Sequence, residues 1–238
     1  IISLSVLMML GLSAPVANGT NRIAVAVQTL SATSSFRRQK VLETKKALSL
    51  SIPGVLGSLI GAWIAVDINE EVFEKAIGVI MLIMMIIILF KPDKYIYGKK
   101  DLAEKPLNWK IYLLFFAIGI YGGFIHVGVG YFLLAGIVLG AGFDLVKANA
   151  IKVFIVLMYA PFTVLIFLWN TQIDWKYGLV LSIGNVVGAL AATHLAVKKG
   201  VVFVKWVIIF VILITAADMF GLYDFKSLIT GLFQHNIN

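Results

Sequence analysis

The stretch LSLSIPGVLGSLIGAWIAV, residues 48–66, returns 131 positions later as LVLSIGNVVGALAATHLAV, residues 179–197, without a gap. Nine of the nineteen positions are identical: Leu48, Leu50, Ser51, Ile52, Val55, Gly57, Leu59, Ala65 and Val66 in the first copy. The same offset carries Gly11, Ala17 and Asn18 onto Gly142, Ala148 and Asn149. Shared apolar composition does not give that many identities. An apolar chain made of two copies of one unit is how many membrane transporters are built, with the central site between the copies.

Composition identifies the solvent. With 61% hydrophobic and 13% charged residues, the chain has too few polar side chains to cover a soluble surface. A helix needs about 20 apolar residues to cross a hydrocarbon core of about 30 Å, and residues 16–36, 47–66, 72–90, 111–139, 145–169, 177–197 and 201–220 are candidates. The fold class expected is all-α: a polytopic membrane protein of about eight transmembrane helices in two four-helix repeats, with broken or re-entrant helices. The short run 1–12 completes the set as a truncated first helix, because the offset puts the counterpart of 121–130 upstream of Ile1. No signal-peptide pattern opens the chain. The expected organisation is a first repeat (1–91), a polar cytoplasmic linker (92–110), a second repeat (111–221) and a C-terminal tail (222–238). Four crossings per repeat is an even number, so both copies should enter the membrane in the same direction, related by an axis along its normal.

The cations suggest an orientation. Arg37, Arg38, Lys40, Lys45 and Lys46 fall in one loop, and Lys91, Lys94, Lys99, Lys100, Lys105 and Lys110 in another that should lie on the same side. With Lys176 and Lys226 that side holds 13 of the 20 basic residues, against Lys75, Lys147, Lys198, Lys199 and Lys205 opposite. It is therefore expected to be cytoplasmic, in a prokaryotic inner membrane. Trp63, Trp109, Trp169 and Trp175 near segment ends suit an interfacial belt. The net charge of +8 reflects these loops, and nucleic-acid binding is not expected.

Several chemistries find no support. No cysteine is present, which removes disulfides, thiolate metal sites and thiol chemistry. His126, His194 and His235 are scattered, so no metal and no cofactor are expected. GxSxG, HExxH, P-loop and dinucleotide signatures are all missing, and the chain does not read as an enzyme.

Three constellations remain. In YGGFIHVGVG, residues 121–130, Gly122, Gly123, Gly128 and Gly130 interrupt an apolar segment too long for one untilted helix. Glycines there serve either close helix packing or a helix break, and a break would aim amide N–H groups at an anion. In ANGTNR (17–22) and ANAIK (148–152), Asn18, Thr20, Asn21, Arg22, Asn149 and Lys152 gather polarity at matched places. An intramembrane cation costs about 2.5–3.5 kcal/mol on insertion scales, which suggests anion coordination, with snorkelling from a helix end as the other reading. The third constellation, PGVLGSLIG (53–61) with its mate GNVVGALAA (184–192), favours packing, Asn185 being its strongly polar member. His126 suits proton coupling, a hydrogen bond to an oxyanion or a structural hydrogen bond, and Asp218 suits a solvated cap at a helix end ahead of proton coupling. Gln28, Ser31, Thr33 and Ser34 either line a path or bond back to helix carbonyls.

GLSAPVANGTN (11–21), the GGF and GVG of 122–130, and KANAIK (147–152) together resemble the sulfite exporter family known as TauE/SafE, over residues 10–221. The resemblance implies a membrane protein that moves sulfite, sulfonates such as sulfoacetate, or related sulfur oxyanions. It points to secondary transport, in the export direction, of a small anionic substrate within a lipid bilayer. An anion channel and a transporter of another small organic anion are the alternatives, and proton coupling and a homodimer are compatible with the chain. The family's second glycine motif is a glycine run followed closely by proline. Here His126, Val129 and Tyr131 interrupt it and no proline follows before Pro161, so the ligand pocket is expected to differ from the family norm.

Overall fold

The structure, a computed structural model, describes residues 2–89, 103 and 106–187. The segment expected at 201–220, Asp218, the tail and most of the linker lie outside these. Among the described residues the chain is helical with no strand: α1 (Ile2–Met9), α2 (Ala14–Arg38), α3 (Thr44–Asp67), α4 (Glu70–Leu89), α5 (Trp109–Phe124), α6 (Val129–Ala135) with a π-turn (Gly136–Gly140), α7 (Leu145–Trp169) and α8 (175–187).

Local chemistry sets several of these ends. Pro15 occupies the first turn of α2, where its missing N–H costs nothing. Asp144 caps α7 by accepting from Val146 N and Lys147 N at 3.0 Å each, which satisfies two otherwise unpaired amides.

Helix α3 turns most of its large apolar side chains outward. On α3 the large side chains Leu48, Ile52, Leu56, Ile60 and Ile64 are exposed, while Ala47, Ser51, Gly54, Gly57, Ser58, Gly61, Ala62 and Ala65 are buried together with one large side chain, Leu50. An outer face of large apolar groups around an inner face of small ones suits a helix solvated by lipid. The helices Thr44–Asp67 and Val146–Trp169 are each long and apolar enough to cross a bilayer. Trp63, Trp109, Trp169 and Trp175 are exposed near helix ends, where interfacial aromatics sit.

The small-residue face of α3 receives α5. A Cβ on Gly57 would collide with the Phe116 carbonyl, one on Gly61 with the Ile120 carbonyl, one on Gly119 with Gly54 and one on Gly123 with Ser58. Residue numbers rise together along both helices, so α3 and α5 run parallel. The chain then turns back, for Gly136 lies against Phe115, and Gly140 near Ile111 at the start of α5. The apolar segment expected to cross at 111–139 is thus a re-entrant hairpin that returns to its side of origin.

That hairpin changes the parity. Helices α2 and α7 each have 25 residues with bounds 131 positions apart, and α3 and α8 begin at Thr44 and at 175. Left-handed backbone recurs at the same spacing, at Gly11 (φ 94°) and Gly142 (φ 79°), and at Lys40 (φ 58°) and Thr171 (φ 56°). Yet the matched helices α2 and α7 run antiparallel. Glu43, just past α2, pairs with Lys147 at the start of α7 at 2.8 Å, whereas Thr20 near the start of α2 accepts from Asp174 N, beyond the end of α7, at 2.9 Å. Gln172 Nε2 also donates to Val66 O at 3.2 Å, which sets the end of α7 beside the end of α3.

The expectation that both copies enter in the same direction is therefore corrected, because it assumed that 111–139 crosses. Two basic residues change sides with it. Lys147 joins the face of Arg37, Arg38 and Lys110, and Lys176 joins the opposite face with Lys75. Lys198, Lys199, Lys205 and Lys226 lie outside the described residues. In oriented vesicles, single cysteines replacing Arg38 and Lys147 should react with an impermeant maleimide from one face, and cysteines at Thr171 and Lys176 from the other. Labelling of Arg38→Cys and Lys147→Cys from opposite faces would contradict the hairpin.

Candidate functional site

The break between α5 and α6 organises the centre of the fold. Helix α5 stops at Phe124 because Ile125 is extended (φ −131°), its N–H reaching back to Tyr121 O at 2.8 Å. Gly128 then takes a left-handed conformation (φ 73°) and starts α6, a backbone state that glycine adopts without steric cost. Tyr121 spans the gap by donating its hydroxyl to Val127 O.

A helix ended inside a bilayer leaves carbonyls without partners, and lipid offers none. Arg22 supplies them. Its NH1 donates to Gly122 O at 3.2 Å and its NH2 to Gly123 O at 2.5 Å and Phe124 O at 3.4 Å, while Asn18 Nδ2 adds a bond to Phe124 O at 3.0 Å. The Arg22 side chain is 1% exposed and its guanidinium lies 4.6 Å from the centre of the Phe167 ring. Among the described residues no carboxylate pairs with it. The partial negative charge at the C-terminal end of α5 and the aromatic face provide its compensation.

Beside the break lies a cavity of about 740 Å³. Its polar lining includes Ser3, Asn21, Gln28, His126, Tyr131, Lys152 and Asn185, together with backbone at Gly128 and Gly130; Val25, Leu134 and Leu181 contribute apolar wall. Among the described lining residues Lys152 is the one cation, and none is a carboxylate. The Lys152 stem lies along the start of α6, its Cδ 3.6 Å from where a Cβ on Gly130 would stand. His126 Nδ1 shares a hydrogen bond of 3.3 Å with the buried Tyr159 hydroxyl. The Asn21 Oδ1 atom is buried without a partner. Two pairs of lining residues, Ser3 with Leu134 and Asn21 with Lys152, are 131 positions apart.

The residues singled out in the sequence divide accordingly. Asn21, His126, Gly128, Gly130 and Lys152 line the cavity. Asn18 and Arg22 stand behind it, bonded to the broken helix, and Thr20 is engaged by Asp174 N. Gly122 faces Tyr159 and Val129, and Gly123 packs on Ser58. Asn149 is half-buried on α7 outside the lining, and Asp218 is beyond the described residues. Of the candidates for a path, Gln28 lines the cavity, whereas Ser34 bonds back to Leu30 O at 2.9 Å. Tyr131, singled out for interrupting the glycine motif, also lines the cavity, whereas sequence reasoning missed Ser3 and Tyr159. The offset itself held a signal for Tyr159, the mate of Gln28, but none for Ser3, whose mate Leu134 is apolar.

Thr20 and Asn18 make buried backbone contacts, so Thr20→Val and Asn18→Ala should each lower stability by about 1–2 kcal/mol. Thermal unfolding of the detergent-purified protein reads this, and an unchanged midpoint would remove the structural role assigned to either side chain.

Comparison with known proteins gives a consistent picture. A model of the family described as Sulfite exporter TauE/SafE matches residues 1–219. A probable membrane transporter protein of Haemophilus influenzae is 26% identical over 226 residues, covering 94% of this chain and 86% of that protein. The probable membrane transporter protein YfcA of Escherichia coli K12 is 26% identical over 231 residues, 94% of this chain and 82% of its own length. A probable membrane transporter protein of Sinorhizobium, ORF9, is 26% identical over 194 residues, covering 81% and 73%. No solved structure matches the chain. A membrane-type helix packing, a re-entrant hairpin facing a polar cavity and a family match along nearly all of the chain agree, and the chain belongs to the sulfite exporter TauE/SafE family of membrane transporters.

Proposed function

We propose that this protein is a secondary transporter that moves a small sulfur-containing oxyanion, sulfite or a sulfonate such as sulfoacetate, outward across a prokaryotic cytoplasmic membrane. The observation that carries this reading is the cavity at the helix break, where Lys152 and side-chain amides converge and no carboxylate opposes an anion among the described lining residues. Lys152 supplies charge, Asn21, Gln28 and Asn185 supply amide donors, and His126, oriented by Tyr159, offers its second ring nitrogen. The start of α6 adds backbone N–H groups at Gly128 and Gly130. Arg22 contributes its field from behind the wall without touching the solute.

The antiparallel pairing of α2 with α7 supports two inverted halves, with the cavity on the axis that exchanges Asn21 with Lys152 and Ser3 with Leu134. The face bearing Arg37, Arg38, Lys40, Lys45, Lys46, Lys110 and Lys147 is the cytoplasmic one in this reading. A cytoplasm-negative potential then drives each negative charge outward by about 2.3 kcal/mol per 100 mV, which sustains a gradient of about fiftyfold. The cavity, at about 740 Å³, greatly exceeds the ~30 Å³ that one water molecule takes in the liquid. Its apolar walls give an organic sulfonate room that sulfite does not need.

Lys152→Ala should raise the half-saturating sulfite or sulfoacetate concentration in proteoliposomes by about 10- to 100-fold, the worth of one charge-assisted hydrogen bond. Lys152→Arg should retain much of the flux. Saturable, countertransport-stimulated flux is expected of a carrier, non-saturable flux would favour an anion channel, and undiminished flux in Lys152→Ala would refute the assigned site.

A further inference from the structure

A cation, Arg22, is buried behind the cavity. Where a transporter helix is broken in mid-membrane, the C-terminal half-helix end and the carbonyls near it carry partial negative charge, and in sodium-coupled carriers such carbonyls coordinate the coupling ion. Here the carbonyl oxygens of Gly122, Gly123 and Phe124 converge as such a ring would, and all of them are already taken by the two terminal nitrogens of Arg22. Asn18 shares Phe124 O, and Phe167 covers the guanidinium. The group is nine-tenths and more buried and has no acidic partner among the described residues.

We propose that the Arg22 guanidinium is a tethered counter-cation standing where a coupling metal cation would otherwise bind, so that the carrier moves its anion without sodium. The inference rests on the anion-carrier reading above. Its physical basis is that the carbonyl ring can neutralise one monovalent cation at a time. A cation fixed to α2 cannot leave with the solute, so the ring stays occupied through the cycle and gives no purchase to the sodium gradient. Guanidinium suits the place because its planar fork reaches carbonyls on consecutive residues at once, which a single ammonium cannot match.

The experiment has two arms. In the first, flux of radiolabelled sulfite by the wild-type protein in proteoliposomes is measured with sodium on both faces and with N-methylglucamine in its place. Equal rates are expected, and a rate that collapses on sodium withdrawal and recovers on its return overturns the proposal while leaving anion transport intact. Absence of sulfite and sulfoacetate flux under both conditions instead refutes the transport reading, and the second arm still decides whether the ring is a cation site. There, Arg22→Ala should melt below wild type and regain stability with millimolar guanidinium or sodium but not with N-methylglucamine at equal ionic strength. Arg22→Lys, which keeps a positive charge, should melt between the two. Indifference of Arg22→Ala to every cation, or equal melting of the two variants, would overturn the proposal.

Discussion

Backbone carbonyls released inside a bilayer must find donors, and one guanidinium answers that need at the centre of this protein. Arg22 binds Gly122 O, Gly123 O and Phe124 O at the place where α5 ends. Without such a donor the hairpin would expose unpaired carbonyls at several kcal/mol each in hydrocarbon. With it, α5 stops part-way across the fold and α6 runs back, and the space beside the turn becomes a polar cavity. The same side chain joins distant parts of the chain, since it belongs to α2 and holds residues a hundred positions away.

Close backbone contact locks the hairpin from its other side. Gly57 and Gly61 on α3 interleave with Gly119 and Gly123 on α5 so closely that a methyl group at any of them would strike main-chain atoms. Lipid gives helices no hydrophobic reason to associate, so contact area and shape carry the attraction. The α5 end is thereby fixed on one side by small residues and on the other by Arg22 and Asn18. A site built on such rigid supports can hold donors in place before a solute arrives, which lowers the cost of ordering them on binding.

Parts of this arrangement were legible in one dimension. The apolar runs read from composition reappear as α2, α3, α4 and α7 with bounds shifted by a few residues at most, because hydrophobic length is a local property of the chain. The glycines of 121–130 marked the segment that breaks, since a conformation like that of Gly128 is open to few other residues. Asn21, His126 and Lys152 were picked out as polar groups too costly to place in an apolar helix without a use. The backbone partners of Arg22, Asn18 and Thr20 were not legible, for a shared reason. Their polarity was visible, but their partners, at Gly122 to Phe124 and at Asp174, are distant in sequence and are backbone groups that every residue possesses.

The sequence by itself determined that the chain is membrane-embedded and helical, and that residues recur along it at a spacing of 131, because hydropathy and self-similarity are written in residue order. Only the tertiary structure decided that the segment at 111–139 turns back rather than crosses, and with it the antiparallel sense of α2 and α7 and the side on which Lys147 and Lys176 lie. A glycine-rich apolar stretch can be either a kinked crossing or a hairpin. The choice falls to partners elsewhere in the chain, here the guanidinium that caps α5 and the glycine face of α3 that receives it.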